Sequence, residues 1–179
     1  MPRNQNNLEI LKANVALHFE QISVQLSHAD KVNGRAKSGY YKVAILLAAA
    51  AAEALAHAVL RAKLDNGATP PLGQWECFES HNLPLTHQPQ RTNYLLSICK
   101  RRQPIFRLTE KTDFARVNAV CKDLGVFSTS FYNKIERVRT LRNRIHLQSL
   151  TEVDRSYNKQ KLDSIGFVIN KLIDKLPSN

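Results

Sequence analysis

"SGYYKVAILLAAAAAEALAHAVL", residues 38–60, decides the fold, because nine of its 23 residues are alanine and none is proline. Alanine has the highest helix propensity of the ordinary residues, so the stretch reads as a helix from about 38 to 64. "DNG" at 65–67 supplies the turn residues that end it. Side chains this small let a neighbouring helix approach very closely. The longest uninterrupted apolar run, Val43–Ala52, is ten residues and stops at Glu53. A bilayer needs about 20, so the run predicts a core helix with no membrane partner.

Working outward, Leu8, Leu11, Val15, Phe19, Ile22 and Leu26 recur at three- and four-residue steps and predict a first helix over about 6–28. "NGRAKSGY" interrupts it. After the alanine-rich helix comes a proline-bearing connection, 65–90, in which no period survives. Two short helices are expected next, Thr92–Arg102 and Thr112–Leu124, with Gly125 stopping the second. Ser128 reads as the N-cap of a helix to about 148, with Phe131, Ile135, Val138, Leu141 and Ile145 as its apolar stripe. "TEVD" at 151–154 fits a capping box opening a last helix over about 152–175, whose core positions are Leu162, Ile165, Val168, Ile169, Leu172 and Leu176. The pattern has no repeat and no persuasive strand. It predicts one all-α domain over 1–179, an up-and-down bundle of four main helices with an insertion at about 65–127.

Lys and Arg outnumber Asp and Glu by 26 to 15, and residues 91–148 hold 13 basic against 4 acidic side chains. Nine of the eleven surplus charges therefore sit in one third of the chain. Local positive charge of that kind concentrates polyanions, of which nucleic acid is the commonest. No basic amphipathic helix stands apart from the core pattern, which argues against a membrane surface. "MPRNQNNLEI" carries no signal-peptide pattern, and Cys77, Cys99 and Cys121 are an odd count. The expectation is a cytoplasmic protein with reduced thiols.

"RTLRNRIHLQ", residues 139–148, places the chemistry. At about 100° per residue, Arg139, Arg142, Asn143 and His146 share an arc of roughly 100° beside the apolar stripe. Arg142 to His146 is a step of four and Asn143 to His146 a step of three, so these side chains converge on one small ligand. RNA cleavage without a metal or cofactor uses such a set. A neutral imidazole removes the proton of a ribose 2′-hydroxyl, and an arginine holds the phosphate oxygens as charge builds on them. Asn143 orients the imidazole or binds a sugar or phosphate oxygen. One helix supplies one base, so the leaving 5′-oxygen needs its proton from elsewhere, for which a second copy of the helix would serve. The competing reading is a solvated basic face whose histidine has no particular role.

"RTLRNRIHL" on a late helix resembles the signature of the HEPN superfamily (higher eukaryotes and prokaryotes nucleotide-binding domains), an Arg followed by a polar residue with a His downstream. The alanine-rich helix with Glu53 in its middle is similar to the corresponding helix of that superfamily. The resemblance implies a helical bundle that dimerises so that two Arg/His motifs meet in a cleft. It implies metal-independent endoribonuclease activity in toxin–antitoxin, phage-defence or RNA-processing systems, where an antitoxin is a regulatory partner, or else a non-catalytic module that binds nucleotide, nucleic acid or protein. By position, His146 becomes the catalytic histidine, Arg142 the motif arginine and Asn143 the polar residue after it. Arg142 and His146 enclose three residues, one fewer than the family pattern, whereas Arg139 and His146 enclose six, which fits. Either arginine is therefore the functional one.

Three further groups stand out. Glu53, if buried, needs a partner, and the alternatives are an ion pair with Arg142 or Arg139 and simple exposure on the outer face. His57 shares its face and reads as an ordinary surface histidine. Cys77, His81, His87 and Cys99 are zinc-ligand types at a spacing that matches no standard finger, so no metal site is expected. "CKRRQPIFR", 99–107, gathers Lys100, Arg101, Arg102 and Arg107 around Phe106, either an RNA-backbone contact with a stacking aromatic or a solvated helix end.

Overall fold

α2 (Gly34–Asp65) is the axis of the structure, and each of the other helices packs against it: α1 (Pro2–Ala29), α3 (Phe114–Asp123), α4 (Thr129–Ile145) and α5 (Lys159–Ile173). The computed structural model describes residues 2–70, 75–83, 94–101, 106–145 and 157–177. Two compact units emerge, a helical one from Met1–Thr69 with Leu108–Asn179, and a smaller one over Pro70–Arg107. The helical unit holds five α-helices and, among its described residues, no strand.

Being surrounded explains the composition of α2. Tyr41, Ile45, Leu55, Val59 and Leu60 are buried on several sides of it, together with Ala44, Ala48, Ala49, Ala51, Ala52 and Ala56. Helices packed on more than one side of an axis leave little room beyond a Cβ. The ten-residue apolar run underestimates this helix: an 18-residue window has mean hydropathy 2.1, enough by length and composition to cross a bilayer, yet 56% of that window is buried inside the protein. Its apolar surface is spent on neighbours.

The helix ends follow local chemistry. Asn66 and Gly67 close α2 with Gly67 at φ 84°, its N–H donating to Leu64 O while Ala68 N donates to Lys63 O. α3 ends the same way at Gly125, φ 69°, with Gly125 N to Lys122 O and Val126 N to Cys121 O. Both are Schellman caps, in which only glycine adopts the left-handed conformation without strain. Ser128 Oγ accepts from Phe131 N at 3.2 Å and caps α4 as its sequence suggests. The last helix starts later than expected: "TEVD" lies outside the described residues, and Asn158 caps α5 by accepting from Lys161 N at 3.1 Å. Tyr157 N donates to Ser38 Oγ at 2.9 Å, tying the entry of α5 to α2.

α1 is less buried than its stripe implies. Val15 and Ile22 face inward, but Phe19 is 37% exposed, and Ile10, Leu17 and Val24, spaced by seven, are each about half exposed. Cys121 is buried in α3, and desolvation pushes its thiol up to about 12, against the smaller pull of Lys175.

The smaller unit corrects the expected helix at Thr92–Arg102. β1 (Trp75–Leu83) and β2 (Tyr94–Arg101) form an antiparallel pair, with Cys77 opposite Cys99 and an irregularity in register between Cys77 and Glu79. "YLLSICKR" is eight residues long, too short for period alone to separate strand from helix.

Candidate functional site

Of the site residues expected on the late helix, Arg139, Arg142 and Asn143 lie in the C-terminal half of α4, where two arginines meet two different carboxylates. Arg142 Nη1 lies 2.7 Å from Glu53 Oε2 of α2, with the arginine side chain about two-thirds buried and the glutamate about three-quarters. Glu53 is therefore neither buried alone nor free on an outer face. The helix–helix contact carries the pair, with α2 and α4 packed directly together.

Arg139 takes a partner from its own helix. Its Nε and Nη2 each lie 2.8 Å from Glu136 Oε2, one turn earlier. That carboxylate raises the already high pKa of Arg139, first through the hydrogen bond and then through its charge, with burial opposing. The other carboxylate oxygen, Glu136 Oε1, accepts from Asn118 Nδ2 of α3 at 2.7 Å. The same amide nitrogen donates to Tyr132 O of α4 at 3.3 Å. Asn118 is fully buried, and its Oδ1 has no partner among the described residues. Its donors are thus committed to α4 and its acceptor to the interior. A buried acceptor without a partner costs about 1–3 kcal/mol.

Asn143 and Arg144 are exposed, and Ile145 is buried. His146 is the residue after the last described turn of α4 and lies outside the described residues. The helix places Arg139, Arg142 and Asn143 on adjoining turns, but each arginine has a separate anchor. Partly exposed pairs like these add roughly 0–1 kcal/mol each to stability. Their larger effect is to restrict two long side chains to defined positions.

Glu53 also lines a cleft of about 720 Å³ between α1, α2, Glu110 and the Leu176–Pro177 turn. His57 and Arg61 line it with Glu53. Burial lowers the pKa of His57 below 6.5, while the Glu53 charge and a hydrogen bond to the Thr112 backbone pull it back up and Arg61 pushes it further down. The imidazole is half-buried and lines the cleft, rather than standing on an open surface. A cleft of this size, mostly apolar with a few polar groups, is of the dimensions that bind small ligands.

The second basic group is only partly placed. Lys100 and Arg101 lie on β2, opposite Glu76 and Trp75 in register, rather than at a helix end. Arg102 lies outside the described residues, and Arg107 is exposed. His81 stands on β1 opposite Leu96, and His87 lies outside the described residues. Among the described residues no cluster of three metal-ligand side chains occurs.

Sequence reasoning missed Glu136 and Asn118. The first was legible as an i, i+3 carboxylate before Arg139. The second had a fainter signal, one carboxamide among Phe114, Val117, Val120 and Cys121 on the buried face of α3. No protein-family model matches the chain, and no curated protein and no solved structure matches it.

Proposed function

We propose that this chain is a metal-independent endoribonuclease of HEPN type, acting on cytoplasmic RNA as a homodimer, in a system such as toxin–antitoxin or phage defence. The observation that carries the reading is the Glu53–Arg142 pair at 2.7 Å, which anchors α4 across the helix interface at an arginine four residues before His146 in the sequence. In this reading neutral His146 takes the ribose 2′-proton, and the 2′-oxygen attacks phosphorus. The 5′-oxygen leaves with a proton from His146 of the second copy, and a 2′,3′-cyclic phosphate remains. Arg142 or Arg139 meets the charge that builds on the non-bridging oxygens, and Asn143 orients ring or phosphate. The exposed Ile10, Leu17 and Val24 of α1, at seven-residue steps, supply apolar surface suited to self-association.

The test is cleavage of single-stranded RNA in EDTA. Cyclic-phosphate ends are expected, with loss of about 10²–10⁴ in rate for His146→Ala at unchanged helicity. Full activity in His146→Ala, or strict dependence on a divalent ion, removes the proposal. A second reading, a non-catalytic module binding nucleotide or a protein partner, is favoured by the cleft beside Glu53 and His57. It predicts ligand binding that Ala54→Phe blocks, with no cleavage by the intact protein.

A further inference from the structure

We infer that Asn118 is a positioning residue which, through Glu136, sets Arg139 as the anion-binding arm of α4 while Arg142 serves as the anchor to α2. The inference rests on the reading of α4 as an RNA-contacting helix. It starts from the engagement of Glu136 on both sides: Oε1 accepts from Asn118 Nδ2 at 2.7 Å and Oε2 receives Arg139. An i, i+3 pair on a half-exposed helix is ordinarily loose, because two long side chains must give up rotamer freedom to meet. Here one partner is already ordered. Asn118 is fully buried, and its second donor contact, to Tyr132 O, fixes the amide plane against the backbone of the helix that carries Glu136.

Arg139 gains from that order in a particular way. Nε and Nη2 are taken up by Glu136, and Nη1 has no partner among the described residues. A guanidinium held along one edge keeps the remaining N–H groups in a fixed plane, the geometry that suits a phosphate oxygen. Arg142 is placed differently. Its carboxylate stands on α2, so handing Arg142 to a phosphate would loosen a helix–helix contact. Handing Nη1 of Arg139 to one breaks nothing between helices.

The experiment uses the full chain with ¹⁵N-labelled arginine, and reads solvent exchange of the Arg139 Nε–H by NMR, assigned with Arg139→Gln. Asn118→Leu replaces an unpartnered oxygen with an apolar side chain but also removes the donor to Glu136, so the chain is expected to fold with a somewhat lower thermal midpoint. Exchange at Arg139 should speed up about tenfold, while exchange at Arg142 stays as it was. Affinity for a 2′-O-methyl single-stranded RNA, which binds without being cleaved, should fall about three- to tenfold. That loss should vanish in an Arg139→Gln background and persist in an Arg142→Gln background. Unchanged exchange at Arg139, or an equal loss of affinity after Arg139 is gone, overturns the inference. Should Asn118→Leu fail to fold, Asn118→Ser, which keeps a single donor, is held to the same criteria. If the wild-type chain binds no RNA, the RNA reading fails, and the exchange measurement still decides whether Asn118 orders Arg139.

Discussion

The two halves of α4 put different demands on one helix. The first is closed by the Ser128 cap, seated through Phe131 and Ile135, and reinforced by an edge-to-face contact of Phe127 with Phe131 at 5.2 Å. The second carries Arg139 and Arg142, each tied to a carboxylate and each about one-third exposed. Apolar burial is the dominant favourable term in folding, whereas partly exposed ion pairs contribute little net stability. Val138 and Ile145 are buried in the second half as well, so apolar burial stabilises the whole helix, whereas the ordering of charged side chains belongs to its second half alone. Substitutions should separate the two.

The widest separation is expected from Ile135→Ala. Ile135 is fully buried, and removing its outer atoms should cost about 2–5 kcal/mol through lost transfer energy and a residual cavity. Chemical denaturation measures this directly. A loss below about 1 kcal/mol would mean that Ile135 does not seat α4 in the core. Gly125→Ala comes next. A Cβ there meets nothing within 4 Å, so the cost is purely the φ of 69°, about 1–2 kcal/mol. It should appear as a lower midpoint with an unchanged m-value.

The same division governs what the sequence discloses. Helices α3, α4 and α5 follow from apolar periodicity, and the glycine stops at 67 and 125 follow from backbone sterics, because both are local properties of the chain. The alanine content of α2 anticipates its crowded surroundings for a similar reason: small side chains report close neighbours. Where partners come from far along the chain, legibility falls. That Glu53 needs a cation follows from the cost of a buried charge, but whether Arg139 or Arg142 supplies it depends on the rotation of α4 against α2, which spacing leaves open. Asn118 is harder still, since its role exists only through a carboxylate 18 residues away. The pairing of β1 with β2 was hidden by length, and the start of α5 by a capping-box pattern ahead of the cap actually used, Asn158.

Glu53→Gln sharpens the comparison from the other side. The substitution keeps shape and a hydrogen-bond acceptor for Arg142 but removes the charge, so stability should fall by less than about 1 kcal/mol. RNA cleavage should fall about tenfold or more, because loosening the Arg142 anchor shifts the part of α4 that carries Arg139 out of alignment with the phosphate. A large loss of stability with cleavage intact would reverse the roles assigned to apolar burial and to the charged pairs.

The smallest expected effect is the pH response of His57. Its pKa in the folded chain is lowered from 6.5, chiefly by burial. The unfolded chain therefore binds more protons than the folded one between the lowered value and 6.5, so stability rises with pH through that window and is constant above it. On acidification the increment is lost, since protonating the half-buried ring places a cation beside Arg61 and only partly in water. Glu53 moderates the loss, because its charge favours the imidazolium. His57→Gln should flatten the pH dependence of the denaturation midpoint below about pH 6.5, and Glu53→Gln should steepen it, because the moderating charge is gone. If the midpoint of the wild-type chain instead rises on acidification, the imidazole is stabilised in its charged form. The cleft would then be governed by Glu53 rather than by burial.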